Sequence, residues 1–259
     1  MVWGPGGVFA LMVLINVSCS SPAPSVGPQP NPFIFSGALT YTGSLGTVDS
    51  THNLAIEMNS SPAFRTSGAF KKSNAVNGDG YLLGMPGAGV YYLLAFFRSS
   101  IPACDVYGSS GFPIPHQGDP YFIYDGSLCG GSTPITVSAP VTLPINVSFD
   151  DSCLLNGVSG TIAYGGTSIV SSSQGIYVAL YTDSAYVNLD FVAQEYLTCN
   201  STNYSLGSLS GSTEYLQAFL DLAGTGKPAP GDPFVQYGPI TPSPTLNVNL
   251  AFNDTTKFP

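Results

Sequence analysis

Ser159-Gly160-Thr161-Ile162-Ala163-Tyr164-Gly165-Gly166 restates Ser36-Gly37-Ala38-Leu39-Thr40-Tyr41-Thr42-Gly43. Three more blocks recur in the same order. Tyr92-Leu93-Leu94-Ala95-Phe96-Phe97 returns as Tyr215-Leu216-Gln217-Ala218-Phe219-Leu220, at the spacing of the first pair. Gly118-Asp119-Pro120-Tyr121 returns as Gly231-Asp232-Pro233-Phe234, and Asn146-Val147-Ser148-Phe149-Asp150-Asp151 as Asn249-Leu250-Ala251-Phe252-Asn253-Asp254. Four matched blocks in one order mean a duplicated module. Each copy is roughly 110 residues, enough for one hydrophobic core.

The matched blocks carry a period of two. Leu246, Val248, Leu250 and Phe252 alternate with Asn247, Asn249 and Ala251. Ile145, Val147 and Phe149 do the same in the first copy. Such alternation puts one face of a strand on a core and the other in water. Tyr177-Val178-Ala179-Leu180-Tyr181 and Tyr215–Leu220 are short β-forming runs bounded by Gly, Ser, Asp and Pro. No stretch sustains a helical apolar stripe. The expectation is all-β: two tandem antiparallel β-sandwich modules, residues 33–151 and 152–259.

Composition narrows function. Charged residues are 8% of the chain, hydrophobics 44% and aromatics 12%, so the chain can build cores despite its low charge. With 6 Lys and Arg and a net charge of −9, it lacks the cationic footprint that nucleic-acid binding requires. Lys71-Lys72, the one basic pair, reads as a solvated loop.

Residues 1–19 read as a signal peptide. Val8–Ile15 is an uncharged apolar run, too short to span a bilayer and suited to the core of a secretory signal. It ends at Asn16-Val17-Ser18-Cys19, which resembles the bacterial lipobox. That resemblance implies lipidation of Cys19 and a membrane-anchored protein of the bacterial cell envelope, facing the periplasm or the exterior. Residues 20–32 are rich in Pro and Ser and favour an extended tether of roughly 40 Å.

Beyond Cys19, four cysteines remain, and four allow three pairings. Copy one has two insertions that copy two lacks. One follows Phe97 and carries Cys104; the other follows Tyr124 and carries Cys129. Both flank one short strand, so the expectation is Cys104–Cys129, with Cys153–Cys199 inside copy two. There is no Cys-x-x-Cys, and structural disulfides suit an oxidising compartment.

The second copy runs from Gly160-Thr161-Ile162-Ala163-Tyr164 through Ile176–Asp183, Tyr204–Ser212 and Tyr215–Asp221 to Gly231-Asp232-Pro233. This resembles the transthyretin-like sandwich repeats of bacterial surface proteins, related to carboxypeptidase regulatory-like and collagen-adhesin B-type modules. The resemblance implies a spacer, stalk or binding module without catalysis. It also points to the loop Asp221–Asp232, where Asp221 and Asp232 are the calcium candidates. Ala223 and Ala229 stand where oxygen donors would be needed, and Lys227 brings a positive charge into the loop. The plainer reading is that Asp119-Pro120 and Asp232-Pro233 start turns. Copy one has Arg98 at the place of Asp221.

Neither Gly-x-Ser-x-Gly nor His-Glu-x-x-His occurs. His52 and His116 read as exposed loop residues, and Asp150-Asp151 as a solvated strand end. Tyr91, Tyr92, Phe96, Tyr121, Phe122 and Tyr124 are the aromatic binding candidates, about half of them expected in the core. No catalytic residue and no cofactor other than calcium is expected. The expected partners are a membrane, through the lipid, and a surface protein or glycan. The reading is a non-catalytic envelope lipoprotein, acting as spacer or recognition module. The alternatives are a carbohydrate- or calcium-dependent adhesion protein and an accessory subunit of a secreted enzyme.

Overall fold

Alternation of buried and exposed residues builds the strands. In β3 (Asp79–Met85), Tyr81, Leu83 and Met85 are buried and the residues between them exposed. A computed structural model describes residues 33–62, 64, 76–99, 104–106, 114–124, 129 and 131–259, and these contain no helix. The chain is all-β. The signal segment, the tether, Cys19 and Lys71-Lys72 lie outside the described residues.

Copy one contributes β1 (Phe33–Tyr41), β2 (Leu54–Asn59), β3, β4 (Gly89–Phe97), β5 (Asp105–Val106), β6 (Tyr121–Ile123), β7 (Ile135–Val137), β8 (Thr142–Pro144) and β9 (Val147–Phe149). Copy two contributes β10 (Asn156–Tyr164), β11 (Ile176–Tyr181), β12 (Leu189–Leu197), β13 (Ser201–Ser208), β14 (Glu214–Leu220), β15 (Phe234–Ile240) and β16 (Leu250–Phe252). In the first sandwich a sheet ordered β3-β1-β8, with β9 also on β1, packs on β2-β4-β6, with β7 on β4. In the second, β13-β10-β16 packs on β15-β14-β11-β12, and β5 from copy one extends that sheet. Each sandwich has its own core. Phe35, Leu39, Ile56, Leu93 and Phe97 are among the residues that fill one; Val158, Ile162, Val178, Leu206 and Leu216 help fill the other. Asn31–Pro259 nonetheless form one compact unit.

The sheets are not wholly antiparallel. β9 pairs with β1, and β16 with β10, in parallel, as β8 does with β1. The chain reaches β8 and β16 by crossing from the opposite sheet, and β9 follows β8 along β1; a crossover of that kind allows parallel pairing where a tight hairpin cannot.

The duplication holds down to single hydrogen bonds. The Tyr41 hydroxyl donates to Asp151, and the Tyr164 hydroxyl to Asp254. The second oxygen of each Asp accepts a backbone N–H, from Ser44 at 2.6 Å and Thr167 at 2.8 Å. Asp151, expected to be solvated, therefore ties the last strand of its copy to the turn after the first. Tyr81 donates to the Ile145 carbonyl at 2.5 Å, and Tyr204 to that of Val248 at 2.7 Å. Asn146 Oδ1 accepts Ala38 N–H at 3.0 Å, and Asn249 Oδ1 accepts Thr161 N–H at 2.9 Å.

The glycine of each Ser-Gly pair is required by close approach. A Cβ on Gly37 would lie 1.9 Å from the Ile145 carbonyl oxygen, and one on Gly160 1.8 Å from that of Val248. Backbone rather than a flexible side chain stands in the way. Gly37→Ala and Gly160→Ala are each expected to destabilise by about 1–3 kcal/mol. Urea unfolding of the two single variants checks this, and the duplication calls for losses of similar size.

The disulfides correct the expected pairing. Cys104 is joined to Cys199 and Cys129 to Cys153, with Cα–Cα distances of 5.8 and 5.2 Å. The Cys104–Cys129 and Cys153–Cys199 bridges do not form because the two insertions diverge. β5 pairs with the edge of β12, which carries Cys104 to the end of that strand in copy two. Cys129 instead sits against the linker, its sulfur 3.3 Å from the Ser152 carbonyl oxygen. Flanking one strand in sequence did not bring the insertions together in space, and a bridge needs its Cα atoms within about 7 Å.

Candidate functional site

The insertion after β4 closes one side of copy two. Asp105 and Val106 pair with Leu197 and Tyr196 on β12. The Pro115 carbonyl accepts Gly207 N–H of β13 at 3.0 Å, so the same insertion also caps the facing sheet. A Cβ on Gly207 would stand 2.7 Å from the Pro115 carbonyl oxygen. Gln117 Nε2 lies 3.3, 2.7 and 2.9 Å from the carbonyl oxygens of Gly157, Ser243 and Leu246.

Between these walls lies a buried cluster of charge. Arg98 follows β4, Asp105 opens β5, His116 comes from the insertion and Glu195 from the inner face of β12. Arg98 is ion-paired with Asp105, and their side chains are 1% and 3% exposed. The Arg98 guanidinium is 2.9 Å from His116 Nε2, and His116 Nε2 is 3.1 Å from Glu195 Oε1. Ser205 N–H adds a contact to each Glu195 oxygen, at 3.2 and 3.3 Å. His116, expected in an exposed loop, is fully buried, because the insertion that carries it is the side wall of the second sandwich. His52 is exposed as expected and lies 3.3 Å from Asp49.

Asp105, His116 and Glu195 could hold a metal ion, since one ligand atom from each falls within 4.8 Å of the others. Imidazole with two carboxylates is a donor set that divalent transition metals use. Here, however, Arg98 already places a fixed positive charge against both Asp105 and His116. A divalent ion at that point would stand beside a guanidinium in a buried site that screens the repulsion weakly. The donor set fits Arg98 as its cation better than it fits a metal.

Charge counting explains the composition. Arg98 balances Asp105, and Glu195 is left with His116. Burial favours an arrangement in which these opposite charges face one another. Burial pushes the Glu195 carboxyl above its ordinary 4.5, while the contact with His116 opposes the rise. Burial likewise raises Asp119, against the pull of His116.

A raised folded value means that the folded protein holds the carboxyl proton more tightly than the unfolded chain. Stability from Glu195 is therefore fullest below 4.5 and falls as pH climbs through the raised value. Thermal unfolding of Glu195→Gln against the parent, from pH 4 to neutrality, tests this. The variant is expected to lose less stability as pH rises. Parallel curves would mean that Glu195 is not the group responsible.

The calcium candidates serve the backbone. Asp221 Oδ1 and Oδ2 accept the N–H groups of Thr225 at 3.0 Å and Gly226 at 2.6 Å. Asp232 Oδ1 and Oδ2 accept those of Leu222 at 3.1 Å and Ala229 at 2.9 Å. The structure does bring the two together at one loop, both buried, but amide donors organise that loop. Asp119 matches Asp232, accepting His116 N–H at 2.7 Å, as the turn reading anticipates. Arg98, at the repeat position of Asp221, turns into the junction instead.

Of the aromatic candidates, Tyr91 and Phe96 are buried. Tyr92, Tyr121, Phe122 and Tyr124 are half-buried and pack against core clusters, so they form no free platform. Sequence reading missed the role of Arg98 and Glu195, and a second buried group in which Ser208 Oγ lies 3.2 Å from Asp190 and 3.0 Å from Glu214. Arg98 gave one signal: a cation in place of the repeat's Asp.

Neither any protein-family model nor any curated protein matches the chain. Among solved structures it is similar to a candidate cell-adhesion protein from Bacteroides fragilis, at 13% identity over 86% of this chain and 92% of that one, with a TM-score of 0.28. It is also similar to the fimbrial anchor protein Mfa2 from Porphyromonas gingivalis, at 9% identity over 74% and 79%, TM-score 0.28. A third likeness is to the shaft pilin SpaA from Lactobacillus rhamnosus GG, at 8% identity over 86% and 97%, TM-score 0.24. Overlap this loose says nothing of what the chain does, so its function rests on the geometry above.

Proposed function

We propose that the chain is a non-catalytic cell-envelope protein, anchored by lipid at Cys19, that acts as a rigid surface spacer or recognition module. The observation that carries this reading is the junction. Two sandwiches are joined by a disulfide, a shared sheet and a buried ion cluster, with no assembled nucleophile and base among the described residues. Buried charge held in ion pairs serves geometry better than chemistry. A stiff pair of modules keeps whatever it carries at a set distance from the membrane. The two disulfides suit an oxidising envelope.

Fractionation tests the placement. The mature protein is expected in the detergent phase, with acyl mass on Cys19, and open to an impermeant label on intact cells or spheroplasts. A soluble mature form whose N-terminus lies beyond Cys19 would overturn the anchor. Turnover of an ester or polysaccharide substrate that survives Arg98→Met and Glu195→Gln would overturn the non-catalytic reading.

A further inference from the structure

A groove of about 450 Å³ opens on copy two between β15 and β16. Its walls include Phe234, Val235, Gln236, Phe252, Asn253 and Thr256, and none of its lining residues is charged. β15 ends its sheet, so one side of its backbone faces the groove. The Leu220 N–H bond to the Pro233 carbonyl sets the phase of the ladder. Pro233 and Val235 turn their backbone groups toward β14, and Phe234 and Gln236 turn theirs outward. Phe234 N–H donates to the Thr256 carbonyl at 3.1 Å, and Gln236 is the next outward residue along the same edge.

The same place in copy one carries a disulfide. Tyr121 N–H donates to the Cys153 carbonyl at 3.0 Å, as Phe234 N–H does to that of Thr256. Pro120 bridges Leu154 as Pro233 bridges Lys257. Cys153 therefore corresponds to Thr256, and Ser152 to Thr255. Cys153 is the residue bonded to Cys129, which comes from an insertion that copy two lacks. Copy one clamps its own polypeptide at this position, and copy two has neither the insertion nor the cysteine.

We propose that the β15–β16 groove binds an extended, uncharged polypeptide strand of a partner protein. The strand lies along the outer edge of β15, pairs with the backbone of Gln236 and sets an apolar side chain against Phe234. Strand addition to an open edge draws affinity from main-chain hydrogen bonds and selectivity from alternate side chains. The pairing stops before Pro239, which has no N–H to offer. The uncharged walls exclude an acidic or basic segment, since its charge would lose water and gain no partner. A neutral glycan would leave the strand edge unused, and the occupant in copy one is polypeptide.

Disulfide capture tests this. In the full chain carrying Cys19→Ser, Thr256→Cys recreates the position of Cys153. A synthetic peptide of residues 126–133, capped at both ends and with Cys129 as its thiol, is equilibrated against the variant in a glutathione buffer. A scrambled peptide with Cys at the same place is the control. The native peptide is expected to be captured about tenfold more favourably than the scrambled one, and amide exchange at Gln236 should slow in the conjugate. Ala251→Glu, an exposed substitution in the groove wall, should abolish the preference without affecting the fold. Equal capture of both peptides, or capture without protection of β15, overturns the proposal. So does a neutral oligosaccharide that binds in the groove and is lost in Ala251→Glu. The inference deepens the recognition reading, and its failure would leave the lipid anchor and the rigid junction standing.

Discussion

Arg98→Met is expected to destabilise the folded protein by about 3–5 kcal/mol, the usual cost of stripping one partner from a buried ion pair. The guanidinium is the cluster's one permanent positive charge. Without it, Asp105 stays buried with no counter-ion and the His116–Glu195 pair loses its neighbour. Methionine fills much of the same volume, so the loss reports charge rather than a cavity. Arg98→Lys should recover part of it, because an ammonium keeps the charge but ends a shorter side chain than the Nη2 that meets both Asp105 and His116. Urea unfolding followed by far-ultraviolet circular dichroism measures both. A loss under about 1 kcal/mol, the worth of an exposed pair, would mean that water reaches the cluster.

Removal of the Cys104–Cys199 bridge should cost about as much. It spans 95 residues, against 24 for Cys129–Cys153. On the chain-entropy account, the longer loop contributes about 4–5 kcal/mol and the shorter about 3 kcal/mol. The double variant Cys104→Ser with Cys199→Ser should therefore be about 1 kcal/mol less stable than Cys129→Ser with Cys153→Ser. Comparison of the two by urea unfolding under non-reducing conditions checks the order. The bridge also holds β5 against β12 and so holds Asp105 beside Arg98. Its loss and that of Arg98 should then fall short of additive, since either alone loosens the same wall. Additive losses would show that the cluster stays in place without the bridge.

The two copies explain why some of this was legible and some was not. Tyr41 with Asp151 and Tyr164 with Asp254 appear in the duplicated blocks, and their hydrogen bonds repeat. Asp119 and Asp232 appear there as turn residues and act as turn residues. The junction carries no duplication. Cys104, Asp105 and His116 lie in an insertion found once, so no second copy could reveal where it packs. Glu195 sits in an alternating strand whose pattern marks an inward face but not the charge that meets it.

Local patterning decided the strands, the two cores and the all-β class, because period-two alternation and close-packed glycines act between neighbours and recur in both copies. The disulfide partners, the burial of His116 and the meeting of Arg98, Asp105, His116 and Glu195 depend on segments far apart in the chain. Those contacts form only once the sheets have assembled, when an inserted segment from one sandwich becomes the missing side of the next.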